Sequence, residues 1–234
     1  AQGKFAKDDL ISNSQTPIHS KKYVEGKDIA YYVIKRLKYL EWNTARVPKK
    51  LSRPTFTQLY DRPKIMRGRV TGGIYDDTGL VCNDSIVVFV RFAELQSVDN
   101  KSISGSLKKY NVMPRTTLET ISTCFDLKYI LAILNSQFAN RYLNNIRRHR
   151  LKNYFYPDDF RKLPIANVSV EDQKPFTKIV DKILSITISN DYLKNPEKKE
   201  AVKEYERQID QMVYELYGLT DDEIRMEGRQ GGKQ

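Results

Sequence analysis

The stretch DLKYILAILNSQFANRYLNNIRRHRLKNYFYPDDFRKLPI, residues 126–165, decides how this chain is read. Leu127, Ile130, Leu131, Leu134, Phe138 and Tyr142 recur every three or four residues, the period of a helix with one buried face. Asp126 is placed to cap its start, since a short carboxylate accepts from the free amides of a first turn. Arg147, Arg148, His149, Arg150 and Lys152 crowd the far end, where cations meet the negative pole of the helix dipole. Tyr154-Phe155-Tyr156-Pro157 stops the helix. Leu163-Pro164-Ile165 leaves it as an extended connector, because proline restricts itself and the residue before it. The pattern predicts one amphipathic helix, core-anchored and ending in charge suited to a polyanion.

Upstream, the chain reads as strand and turn. Residues 1–24 are polar, interrupted by Thr16-Pro17, and read as a lead-in segment. Val33–Trp42 is apolar on both alternating faces and predicts a buried strand. Arg46–Arg53 is a basic loop punctuated by Pro48 and Pro54, and Pro63–Val70 predicts another strand. Ile74-Tyr75 and Leu80-Val81-Cys82 flank Asp76-Asp77-Thr78-Gly79, which predicts a hairpin because glycine tolerates positive φ. Ser85–Phe92 is the most strongly β-forming run, and Asp99–Gly105 reads as a polar loop.

Downstream, the period is helical. Ser169 with Asp172 three residues on opens one helix, whose stripe is Phe176, Ile179, Val180, Ile183 and Leu184. Ala201, Tyr205, Ile209, Met212, Val213 and Leu216 mark the next, and Gly218 is a natural stop. Thr220 and Glu223 form a capping box for a last short helix. The expected fold class is α+β: a β-rich part over 25–125, a helical part over 126–227, and a disordered tail over 228–234.

The 234 residues carry 40 Lys or Arg against 29 Asp or Glu, a net charge of +11. Between Lys21 and Arg69 the bases number 14 and the acids 4, whereas from Glu171 onward 11 bases face 14 acids. That asymmetry points to a polyanionic partner, nucleic acid first, although a basic scaffold that assembles proteins also fits the charge alone. No run of 18 apolar residues exists and residues 1–10 do not resemble a signal peptide, so the expected setting is the cytoplasm, with no membrane partner. Cys82 and Cys124 make no zinc spacing and no disulfide framework.

Catalytic signatures are missing from the pattern: there is no nucleophile elbow and no phosphate-binding loop. With only His19 and His149, a histidine relay is not expected, and His149 among arginines suits a phosphate contact better than catalysis. Glu25-Gly26-Lys27 and Asp158-Asp159 with Lys162 resemble the carboxylate-and-lysine spacing of metal-dependent nucleases, and they define a minority reading in which Glu25 or Asp158 holds a divalent cation. Asp158 and Asp159 suit a turn better. No metal ligands and no catalytic residues are expected in this chain.

The run Leu131-Ala-Ile-Leu134-Asn135-Ser136-Gln137-Phe138 is followed by Lys162-Leu163-Pro164-Ile165, then Gln173, then Ile209-Asp210, then Val213-Tyr214-Glu215-Leu216-Tyr217-Gly218-Leu219-Thr220-Asp221-Asp222-Glu223-Ile224. This order resembles the TaqI-like C-terminal specificity domain, the target-recognition module of N6-adenine DNA methyltransferases and type IIG restriction–modification enzymes. Gly26-Lys27-Asp28-Ile29, Pro63-Lys64-Ile65 and Asn83 extend the likeness to roughly residues 25–226. The matched residues read as scaffold, with Asn135 and Ser136 packed mid-helix.

The resemblance implies that residues 25–125 read double-stranded DNA, while a methyltransferase domain of the parent enzyme, and in some parents a nuclease, does the chemistry. The parent would use S-adenosylmethionine and, if it cleaves, Mg; the Pro-Pro-Tyr or Pro-Pro-Phe motif and cofactor loop of such enzymes are absent from this sequence. Phosphate contacts are expected from Lys49, Lys50, Arg53, Arg147, Arg148 and Arg150. Base reading is expected near Lys64, Arg67, Arg69 and Asn83, since Arg pairs with guanine and Asn with adenine. A type I restriction specificity subunit shares the same order of parts and is the alternative.

Overall fold

The computed structural model describes residues 10–45, 47, 56–108, 113–147, 154–220 and 222–224. It is an α+β fold, with sheets in the N-terminal part and helices in the C-terminal part. The chain divides into two units: Ala1–Leu127 with Lys152–Tyr156, and Lys128–Leu151 with Pro157–Gln234. Residues 154–156 thus belong to the first unit although the chain has by then entered the second. Among the described residues no helix is long and apolar enough to cross a membrane.

The first unit holds three small sheets. β1 (Ile11–Ser12), β2 (Lys21–Val24), β5 (Lys38–Leu40) and β8 (Val81–Cys82) form one sheet in the order β1-β5-β2-β8, with β2 and β8 parallel. β3 (Ile29–Ala30) and β4 (Val33–Ile34) form a hairpin. β6 (Lys64–Gly68), β7 (Gly73–Asp76) and β9 (Ile86–Phe89) form the third, in the order β7-β6-β9, with Met66 opposite Ile74 and Val88. Tyr23, Val24, Ile29, Leu40, Tyr60, Met66, Ile74, Leu80 and Val81 make the core between them.

Several local expectations are revised here. Val33–Trp42 is two strands, because Asp28 O accepts from the N–H groups of Lys35 and Arg36 and bends the chain between β4 and β5. Asp76–Gly79 is not a hairpin: β7 pairs with β6, while β8 pairs with β2 in another sheet. The Asp76 carboxylate organises the crossing, accepting from Thr78 N–H, the Thr78 hydroxyl and Leu80 N–H, and Gly79 supplies the φ of +80°. The expected loop Asp99–Gly105 contains α1 (Lys101–Leu107), since the Asn100 side chain accepts from Ser102 N–H and Ile103 N–H as its cap. With α2 (Arg115–Thr123), this part is less purely strand and turn than the sequence predicts.

The second unit is helical: α3 (Leu127–Asn135), which starts at the division between the units, α4 (Gln137–Ile146), α5 (Pro157–Phe160), α6 (Val170–Thr187) and α7 (Pro196–Leu216). The single helix expected through Ser136 is two. The Ser136 hydroxyl accepts from Ala139 N–H and caps α4, which serine does better than it continues a helix. Asp210 of α7 accepts from Gln137 N–H at 2.7 Å and satisfies a second amide of the same turn. Elsewhere the caps sit where the sequence puts them: Ser169 caps α6, Gly218 follows α7 at φ +64°, and Thr220 exchanges hydrogen bonds with Glu223. The stripe of α7 is rotated from the expected one, with Val202 buried in place of Ala201 and Asp210 beside Ile209.

Candidate nucleic-acid interface

Among the described residues between Lys21 and Arg69 the exposed charges are mostly basic. Lys38, in β5, lies 2.9 Å from Glu25 and 2.8 Å from Asp28, and Arg36 reaches Asp28 at 2.7 Å. Glu25 N–H donates to Asp28 at 3.0 Å, which closes the short 3₁₀ turn Gly26–Asp28. Burial opposes ionisation of both carboxyls, but the bonds from Lys38 to both, from Lys27 to Glu25 and from Arg36 to Asp28 outweigh it and hold them below the usual carboxylate range. Lys27, 3.0 Å from Glu25, and Arg36 keep most of their side chains in solvent. The ammonium of Lys38 thus stands between the two carboxylates. Glu25 is committed to lysines, and Asp158 to an ion pair with Arg161.

Lys64 and Arg67 are placed otherwise than expected for base readers. Lys64 is 0 % exposed; its ammonium is held by Asp76 and donates to Tyr60 O at 2.6 Å. Burial works against the Asp76 carboxylate, yet the Lys64 charge and the bonds from Lys64, the Thr78 hydroxyl and Leu80 N–H keep its pKa low. Lys64 is therefore a core ion pair, unavailable to a groove without unfolding β6. Arg67 is 1 % exposed, its guanidinium 5.5 Å from the Tyr31 ring centre, and burial lowers its pKa. Gly73 is its register partner on β7.

Tyr31 and Tyr32 form the turn of the β3–β4 hairpin. Tyr32 takes φ +60°, a conformation with a cost for any residue but glycine, and its N–H bonds Gly73 O at 2.9 Å. A Cβ on Gly72 would lie 2.3 Å from Tyr31 N, so glycine alone lets this turn dock. The result is a pinned ring, 37 % exposed, with a buried guanidinium beneath it.

Arg69 follows β6 at the tip of the β6–β7 hairpin, beside Val70, which is 66 % exposed. Its N–H bonds Ser85 O and its carbonyl accepts from Phe155 N–H at 2.9 Å, so the segment Tyr154–Tyr156 docks at this point. The guanidinium lies 5.9 Å from the Tyr154 ring centre and 5.6 Å from that of Tyr156. Asn83 lies alongside, but its side-chain oxygen already accepts from Ser85 N–H and the Ser85 hydroxyl, which in turn accepts from Gly26 N–H. A bidentate adenine contact needs that oxygen free. Asn83 is a turn organiser whose amide N–H groups are still available.

Of the expected phosphate contacts, Arg147 sits directly after α4 as its C-terminal flank. Lys49, Lys50, Arg53, Arg148 and Arg150 lie outside the described residues. From the sequence Tyr154 and Tyr156 read only as part of a helix stop, and nothing local marks Tyr31. Among the described residues no group of three His, Cys, Asp or Glu is arranged to hold a metal ion. No protein-family model matches the chain, and no curated protein matches it.

Proposed function

We propose that this chain is a DNA target-recognition domain of the TaqI-like kind, which grips duplex DNA so that a methyltransferase or nuclease domain elsewhere can act on it. The observation that supports this best is the excess of exposed bases between Lys21 and Arg69. Of the four acids between Lys21 and Arg69, Asp28 and Glu41 are buried, Glu25 is bound by two lysines, and Asp61 pairs with Lys21. Lys22, Lys27, Lys35, Arg36 and Arg62 face solvent. Lys22, Lys35 and Arg62 have no ion-pair partner among the described residues. Lys38, Lys64 and Arg67 are buried too, but among the described residues of this segment five exposed bases stand against the one exposed acid, Asp61, and a polyanion is the natural complement of such a surface.

The helical unit lacks this bias, with pairs one turn apart at Glu171–Lys174, Glu200–Lys203 and Glu204–Arg207. It serves as the scaffold. On this reading the chain acts in the cytoplasm with double-stranded DNA and its parent's catalytic domain, and S-adenosylmethionine belongs to that domain. Target bases are read by contacts that also offset a flipping cost of a few kcal/mol.

The test is binding of the full chain to a labelled duplex across a salt series. Affinity is expected to fall by about 10³ or more between 50 and 200 mM salt if six or more phosphates are neutralised. Absence of binding at low salt overturns the reading, and so does adenine methylation by this chain with S-adenosylmethionine alone.

A further inference from the structure

We infer that Arg69, framed by Tyr154 and Tyr156, is the seat of a phosphate oxyanion, and that its task is grip and not base reading. The inference deepens the DNA-binding reading and rests on it for the identity of the ligand as a backbone phosphodiester.

Three observations carry it. First, the guanidinium lacks a counter-charge: its Nε is buried without a hydrogen-bond partner, and no ion pair reaches it among the described residues. The other half-buried arginines of this unit among the described residues, Arg91 and Arg115, each have a glutamate one helical turn away, and the half-buried Lys21 pairs with Asp61. A half-buried cation with only ring faces for company keeps part of its desolvation cost, and a ligand oxyanion removes that cost.

Second, the site is fixed before any ligand arrives. The Arg69 carbonyl is tied to Phe155 N–H, its N–H to Ser85 O, and the tyrosine hydroxyls meet each other at 2.9 Å. Aromatic rings restrain a guanidinium plane and leave its N–H edge for planar, bidentate recognition of phosphate.

Third, the Arg69 side chain is half-buried, with its Nε out of solvent. Base edges lie at the floor of a major groove about 8.5 Å deep, which asks for an extended side chain or a bare ribbon. The hairpin end is not bare, because residues 154–156 are docked on it, and the exposed side chain at the tip is Val70. Phosphates stand on the outside of the duplex, where a half-buried cation meets them.

The experiment uses the full chain and its Arg69→Gln and Arg69→Lys variants, with helix and sheet content checked by circular dichroism. A set of duplexes differing at single base pairs is titrated over a salt series. A phosphate seat predicts that Arg69→Gln weakens every duplex by a similar factor and makes the log–log salt slope shallower by about 1, while Arg69→Lys retains the slope. A variant that loses preference at one base pair with an unchanged slope is a base reader, and the inference falls while the DNA-binding reading stands. If no duplex binds, inorganic phosphate is titrated against the arginine Nε–H resonances. A saturating shift present in the native chain and absent in Arg69→Gln keeps the oxyanion seat and discards DNA as its ligand. No shift discards both.

Discussion

The Tyr217 hydroxyl donates to Pro164 O at 2.6 Å, and it is one of three tyrosines that hold the Leu163-Pro164-Ile165 connector. Tyr142 donates to Lys162 O at 3.1 Å and Tyr129 to Ala166 O at 2.8 Å. The rings pack as well: Tyr217 stacks on Phe138 at 4.2 Å, and Tyr129 meets Phe176 edge-on at 5.3 Å. Tyr217→Phe keeps the stack and removes one bond, for an expected loss of about 1 kcal/mol in urea denaturation. Tyr129→Phe is expected to cost at least as much, because Tyr129 is fully buried and strands a carbonyl. Unchanged midpoints for both would mean that water replaces the hydroxyls.

The break between α3 and α4 gives a second prediction. Ser136→Ala should cost about 1 kcal/mol, a typical loss for an N-cap. Asp210→Ala should cost about 1.5–3 kcal/mol, since a charged acceptor is withdrawn from Gln137 N–H. Because both bond the first turn of one helix, the double variant should deviate from additivity, which the denaturation midpoints of the four proteins will show.

Acid should loosen the sheet unit first. The folded pKa values of Glu25, Asp28 and Asp76 are depressed, so their stabilisation is fully present above the unfolded values and is lost as pH falls through the lower folded ones. Trp42, the single tryptophan, packs against this core and reports on it by fluorescence. Asp76→Ala leaves the Lys64 ammonium buried alone, at an expected cost of about 3–5 kcal/mol, and Lys64→Met in the same chain should restore much of it. A single variant that unfolds at the native midpoint would show that Lys64 finds other partners.

Glu206 has the opposite sign. Burial and the charge of Asp210 push its carboxyl up to about 7, so the folded chain keeps a proton that the unfolded chain gives up. Stability should therefore decline as pH rises from about 4.5 to 7, with a slope of at most ~1.4 kcal/mol per unit. Glu206→Gln should be more stable than the native chain at pH 8 and match it at pH 4. Parallel pH profiles for the two would rule this out.

Gly72→Ala tests the docked hairpin. The new methyl would overlap Tyr31 backbone, which is not a flexible side-chain end, so a loss of about 3 kcal/mol is expected. The Tyr31 ring should also leave Arg67, visible as altered shifts of the arginine Nε–H resonance. A folded variant with an unperturbed Arg67 resonance would refute the role assigned to Gly72.

What the sequence determined by itself was local. Ser169, Gly218 and the Thr220–Glu223 pair could be read because each cap joins residues a few positions apart, where chain geometry alone decides the contact. The change from alternating to helical periodicity likewise foretold sheets followed by helices. Tertiary structure decided where the partners were distant. Ser136 reads as helix interior until Asp210, 73 residues from Gln137, supplies the second cap. Lys64 reads as a reader of bases until Asp76 and Tyr60 enclose it, and Asp76–Gly79 reads as a hairpin until β8 is claimed by β2. Arg69 carries the same charge in the sequence as Lys64 and Arg67. Only the return of Tyr154 and Tyr156 to the first unit distinguishes it, because desolvation and aromatic framing depend on what surrounds a cation, and composition is silent about surroundings.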